Sequence, residues 1–193
     1  MEQLQNQLES VSQLQTSLRS AGILSVVIGG IAVAVWGDPR ATKDADLKVL
    51  LTREQAHQLL EALPEQYQVE SSDPEGDLRQ FGFIFTRDDT GVRIDLLLAD
   101  LSFDRQAIER GREIDVTGGT KIVVCSPEDL IIYKMISTRA YDHEDARKIV
   151  ARQGKKLDHD YIEDLLQQFE IALDDSTLVK AYQRMKSTIE SRN

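Results

Sequence analysis

The 193-residue chain has one cysteine, Cys125. A single cysteine excludes an intrachain disulfide and any zinc site built on cysteine ligands. It fits a reducing, cytoplasmic setting. No apolar run approaches the roughly 20 residues that span a bilayer, so no membrane helix is expected. The opening MEQLQNQLES lacks the basic and then apolar order of a secretory signal. Basic charge is scarce too. Lys and Arg number 23 against 33 Asp and Glu, for a net charge of -10. That excess argues against a long duplex-DNA surface, because nucleic-acid binding draws on Lys and Arg at the phosphates. Several catalytic signatures are also missing. There is no Walker A loop or Rossmann glycine pattern, and no Gly-x-Ser-x-Gly elbow. His57, His143 and His159 are scattered, without the spacing of zinc ligands.

What is present reads as an ordinary globular balance, 41% hydrophobic and 29% charged, enough for one compact domain with or without a helical extension. Leu4, Leu8, Val11, Leu14 and Leu18 recur in steps of three and four, which predicts an amphipathic N-terminal helix ending near Gly22. An apolar run over 23–28 meets Gly29-Gly30, and a second apolar run over 31–36 stops at Gly37-Asp38-Pro39. Residues 44–51 read as a strand. Thr52, with Gln55 three residues on, predicts a helix through Leu63. Residues 71–77, SSDPEGD, read as a polar loop. Residues 81–86 and 92–98 read as the strands of a hairpin, 103–111 as a short helix, and 113–116 with 121–124 as a second hairpin around Gly118-Gly119. Trp36, Phe81, Phe83 and Phe85 are read as core. Ser126-Pro127-Glu128-Asp129 is a helix start, with proline at the first helical position and acids in the first turn. The rest is helical, around 145–151, 161–169 and 176–189. The expected organisation is α+β: residues 1–125 as a mixed sheet flanked by helices, then a helical region over 126–193.

Three features carry chemistry. Gly29-Gly30, between an apolar run and a helix-like segment, lets backbone approach a phosphate, and helix-start N–H groups point at an anion. Asp44-x-Asp46 places two carboxylates on one face of a strand. Such like charges repel unless a cation lies between them, and magnesium prefers oxygen ligands. Asp95 interrupts the apolar strand Val92-Arg93-Ile94-Asp95-Leu96-Leu97-Leu98. Aspartate is costly there without a partner. Arg93 on the same face is one candidate partner, and a metal ion is the other.

Together these pieces resemble the DNA polymerase β-like nucleotidyltransferase superfamily. The signature runs from Ile28-Gly29-Gly30-Ile31-Ala32 through Arg40-Ala41-Thr42-Lys43-Asp44-Ala45-Asp46-Leu47. Within it, the chain looks like small bacterial proteins similar to the toxin of abortive-infection toxin–antitoxin pairs. Here the matching residues are Pro127-Glu128-Asp129-Leu130, then Lys134, then Asp142-His143-Glu144-Asp145. The resemblance covers roughly residues 23–150. It implies a nucleotidyltransferase fold and two-metal transfer of a nucleotide from a nucleoside triphosphate such as ATP, with Mg2+ or Mn2+ held by Asp44, Asp46 and Asp95. Gly29 and Gly30 would cradle phosphates, with Lys134 as a point charge. Arg40 and Lys43 are phosphate or acceptor candidates beside their reading as solvated surface charge. Asp142 and Asp145 would position the base or the lysine, or serve as helix-surface acids. The acceptor hydroxyl is open among tRNA, protein and a small antibiotic-type molecule, and a small antitoxin partner is implied. Arg139, Arg147, Lys148, Arg152, Lys155 and Lys156 make the helical third locally basic, which is read as an RNA-facing patch or a solvated face. The alternative to an enzyme is a non-catalytic binding module of the same fold. Many transferases have serine where this chain has Gly30.

Overall fold

The computed structural model describes residues 2–39, 42–116 and 119–190. They form two compact units: one of 1–31 and 41–125, the other of 32–40 and 126–193. Arg40 and Gly118 lie outside the described residues. No helix is long and apolar enough to cross a membrane among the described residues.

The first unit is built on a mixed seven-stranded sheet. Its strands are β1 (Ser25–Ile28), β2 (Asp44–Val49), β3 (Gln68–Val69), β4 (Phe83–Arg87), β5 (Arg93–Leu98), β6 (Arg112–Asp115) and β7 (Lys121–Val124). Their spatial order is β3-β4-β5-β2-β1-β7-β6. The β1/β7 and β2/β5 pairs are parallel, and the other four are antiparallel. The alternation in β2 and β5 has the predicted phase. Ala45, Leu47 and Val49, with Ile94, Leu96 and Leu98, are buried. Asp44, Asp46 and Lys48, with Arg93, Asp95 and Leu97, form the other, half-buried face.

Helix α1 (Glu2–Ser20) follows its predicted stripe. Leu8, Val11, Leu14 and Leu18 are buried, while Leu4 stays exposed. Gly22 takes φ 76° just past its end, where Ile23 N–H bonds the Leu18 carbonyl at 2.9 Å. One polar residue on the docked face completes the sheet. Gln15 accepts from Val123 N–H at 2.8 Å and donates to the Val123 and Ser25 carbonyls at 3.0 and 3.3 Å. It thereby spans β1 and β7 beside their single register pair, Val27 with Val124. Gln15→Leu strands a backbone N–H, and chemical denaturation should show a loss of about 1–3 kcal/mol.

Two expectations fail in this unit. The stretch 71–77 is not all loop, because Asp73 accepts from Gly76 N–H at 3.1 Å and caps a helix that starts at Pro74. That helix is α4 (Pro74–Phe81), which follows α2 (Gly29–Trp36) and α3 (Ala56–Ala62). Gly82 ends α4 at φ 78°, which delays the strand to Phe83. Secondly, Phe81 and Phe83 are not core. They are 51% and 38% exposed: Phe81 ends α4, and β4 turns Phe83 to the half-buried face. In the second unit, Trp36 is likewise only half-buried. Helix α5 (Ser102–Glu109) is fixed by Asp104, which accepts from Leu101 N–H at 3.0 Å and from Lys48 of β2 at 2.9 Å.

The second unit holds the end of α2 (Gly29–Trp36) with α6 (Pro127–Met135), α7 (Ala140–Gln153), α8 (His159–Leu173) and α9 (Leu178–Glu190). Residues 32–40 join it because Arg152 donates to the Gly37 carbonyl and Gln153 to the Trp36 carbonyl. Ser126 caps α6 by accepting from Asp129 N–H at 3.1 Å, with Pro127 next, as the sequence indicates. Leu130, Ile131, Ile149, Val150, Ile162, Leu166 and Tyr182 form its core.

Candidate active site

Parallel pairing of β2 with β5 sets Asp46 opposite Asp95 and Asp44 opposite Arg93. Residues opposite each other share a face, so Asp44, Asp46 and Asp95 all lie on the half-buried side of the sheet. β1 extends the row, with Ile28 opposite Asp46. The chain then turns at Gly29 into α2, so the helix start lies beside Asp46.

Gly29 does more at this turn than free the backbone. It sits at φ 63°, and a β-carbon built there would fall 1.9 Å from Asp46 Oδ2. The Asp46 carboxylate therefore occupies space that only glycine leaves. Gly30 is similar. A β-carbon there would fall 2.7 Å from the Thr42 hydroxyl and 2.8 Å from Thr42 Cβ. That hydroxyl donates to the Asp44 carbonyl at 2.8 Å and is 3.4 Å from Asp44 Oδ1. A hydroxyl thus stands next to the helix start although residue 30 carries none. Gly30→Ser alone overpacks this point by about 1–3 kcal/mol. Thermal denaturation should show the loss only partly recovered in Gly30→Ser/Thr42→Ala, because the β-carbon of residue 42, 2.8 Å from the new one, remains.

Asp95 is gripped by Arg93, Nε to Oδ1 at 2.7 Å and an Nη to Oδ2 at 3.2 Å. Burial pushes its carboxyl above the ordinary value, and Asp44 and Glu70 add to the rise. Arg93 pulls the other way but does not cancel it. The rise is chiefly the cost of burying the Asp95 charge. Among the described residues, no three His, Cys, Asp or Glu side chains already converge as a set that could hold a metal ion. The donor chemistry of Asp44 and Asp46 suits a hard cation. Asp95 fits only by exchanging Arg93 for it.

The remaining candidates lie elsewhere. Lys43 is exposed and borders a depression with Gln3, Asn6, Gln7 and Thr90. In the helical unit, Lys134 meets Asp142 Oδ1 at 2.5 Å and Asp145 Oδ2 at 3.3 Å, with all three side chains at least nine-tenths buried. Ser137 and Arg139 donate to the other Asp142 oxygen, each at 2.6 Å. Burial pushes the Asp142 carboxyl up, but Lys134, Ser137 and Arg139 outweigh it and hold it below the ordinary value. The three residues are brought together, and the two acids hold the lysine. Helix-surface acids they are not.

Sequence reading missed Thr42. It precedes the start of β2 at Asp44, so strand periodicity does not reach it. The reading also missed Phe85, the neighbour of Asp95 across β4. Its phase was legible, but its exposure was not.

Comparison with solved structures gives the same fold. An antigenic nucleotidyltransferase-like protein from Paracoccidioides brasiliensis is 21% identical, with 91% of this chain and 93% of that one covered at a TM-score of 0.52. The antibiotic-resistance factor ANT(2'')-Ia is 13% identical, with 97% of each chain covered at a TM-score of 0.55. A further structure of ANT(2'')-Ia, in complex with adenylyl-2''-tobramycin, has a TM-score of 0.54 at 13% identity, with 97% of this chain and 98% of that one covered. Among curated proteins, none matches this sequence. The family described as nucleotidyl transferase of unknown function (DUF2204) matches residues 7–186, nearly the whole chain, and the protein belongs to it.

Proposed function

We propose that this nucleotidyltransferase moves a nucleoside monophosphate from a nucleoside triphosphate, ATP among the candidates, to an acceptor hydroxyl. The observation that carries this reading is the row Asp46–Asp95 across the parallel β2/β5 pair, with Gly29 leaving room for the Asp46 carboxylate at the start of α2. Asp44 and Asp46 would hold Mg2+ or Mn2+, with Asp95 joining them on leaving Arg93. An ion held there would supply charge to neutralise the triphosphate and acidify the acceptor hydroxyl. The Gly29 and Gly30 N–H groups, at a helix start whose first turn has no acid, hold phosphate oxygens. Thr42 supplies the hydroxyl that residue 30 lacks. The acceptor oxygen bonds to the α-phosphorus, the α–β anhydride bond breaks, and pyrophosphate leaves with its electron pair. The hydroxyl proton passes to solvent. Lys43 and Lys134 are the candidate cations for phosphate, and Asp142 and Asp145 set the lysine's position.

The test is label transfer from each α-labelled triphosphate with magnesium, using total RNA, protein and small hydroxylated compounds as acceptors. Transfer that disappears in Asp46→Ala is expected. No transfer to any acceptor, with no magnesium binding by calorimetry, would leave a non-catalytic module. A second reading, a toxin acting on RNA or protein and paired with a small antitoxin in the cytoplasm, draws on the Pro127-to-Asp145 pattern and the buried lysine it encloses. Growth arrest on expression, relieved by a small neighbouring gene product, is its expected sign.

A further inference from the structure

The row across the sheet continues past Asp95. Phe85 of β4 pairs with Asp95 in register, and Phe83 pairs with Leu97 on the same face. Phe81, at the end of α4, extends the series. Ring centres are 6.2 Å apart from Phe81 to Phe83 and 5.3 Å from Phe83 to Phe85. The rings line a depression of about 240 Å³ with Glu70, Ser71 and Asp77. Leaving large rings in water forgoes roughly 1.5–3 kcal/mol of burial each, so an aromatic ladder beside reactive carboxylates is suited to a ligand.

The charges around it narrow the ligand's chemistry. Arg93, paired with Asp95, lies 4.1 Å from the Phe85 ring centre and is released there once Asp95 turns to the metal. Arg87 is spent on Glu70 at 2.7 Å. A polyanion would meet rings, the carboxylates of Glu70 and Asp77 and at most one released guanidinium group here. An uncharged or cationic ring would meet apolar surface, the electron-rich faces of the phenyl rings, and carboxylates at the rim.

We infer that Phe81, Phe83 and Phe85 form the acceptor subsite, and that the acceptor is an uncharged or cationic hydroxylated ring compound, of which an amino sugar is the type, rather than RNA. The inference rests on the nucleotidyl-transfer reading above. With the triphosphate on the Gly29–Gly30 side of Asp46, the opposite end of the carboxylate row is the Phe85 side.

The experiment runs label transfer with magnesium and each α-labelled triphosphate on two kinds of acceptor. One arm uses neamine and methyl α-glucoside, the other total RNA. Transfer to a ring compound is expected. Phe83→Ala and Phe85→Leu, each checked for an unchanged melting temperature, should raise that acceptor's KM by about tenfold or more. The KM for the triphosphate should stay close to the wild-type value. Should either variant melt early, fluorine NMR replaces it: with 4-fluorophenylalanine at all five Phe positions, the Phe83 and Phe85 resonances should shift on adding neamine. Transfer to RNA alone overturns the acceptor class. Unchanged acceptor KM in folded variants, or unshifted resonances, overturns the subsite while leaving nucleotidyl transfer standing. Absence of any Asp46-dependent transfer overturns both.

Discussion

Gly29→Ala is expected to abolish nucleotidyl transfer as completely as Asp46→Ala. The added methyl would lie 1.9 Å from Asp46 Oδ2, far inside any contact distance. At φ 63° an L-residue also costs about 1–2 kcal/mol. The least costly relief is for the Asp46 side chain to swing away, which removes it from the row with Asp95. The charge arrangement of the site then goes with it, and loss of one preorganised group of this kind is worth on the order of 10²–10³ in rate. Initial rates of label transfer give the comparison, and magnesium calorimetry should show the same weakening in both variants. A Gly29→Ala protein that turns over near the wild-type rate would show that Asp46 is not needed where it now stands.

The second large effect is on stability. Lys134→Met removes the one ammonium between two buried carboxylates, Asp142 and Asp145. Breaking a buried pair from one side costs about 3–5 kcal/mol, because the remaining charge is stranded. For a chain of this size that corresponds to a fall in melting temperature of about 6–20 °C. The sign with pH follows from Asp142. Its folded carboxyl is held below the ordinary value, so its stabilisation is fully present above the ordinary carboxylate pKa. It is lost as acid titrates through the lower folded pKa. Without Lys134 the carboxyl loses the strongest force holding it down, so the acid limb of the stability profile should move to higher pH. Melting curves between neutral and acid pH check this. A Lys134→Met protein that melts with the wild type would leave the lysine free for phosphate alone.

Much of this is legible in the sequence. The α1 stripe, the Ser126-Pro127 helix start and the opposite faces of β2 and β5 rest on local periodicity and capping, which neighbouring residues alone decide. The grouping of Lys134 with Asp142 and Asp145 was legible only through resemblance, since eight and eleven residues of separation fix no contact. The misreadings share a cause. At 71–77 the polar composition was given more weight than the Asp73-Pro74 cap. At Phe81 and Phe83 hydrophobicity was taken for burial, although the phase of β4 puts Phe83 with the carboxylates.

By itself, then, the sequence determined which residues share a strand face, where helices start and stop, and which carboxylates need an explanation. These follow from backbone periods of 2 and 3.6 and from the cost of burying charge. Only the tertiary structure decided that β5 lies parallel to β2 in the register that sets Asp95 against Asp46. It alone decided that Gly29 makes room for the Asp46 side chain, and that Thr42 fills the space beside Gly30. Strand neighbours across a sheet are chosen by long-range pairing and core packing, which no local pattern encodes.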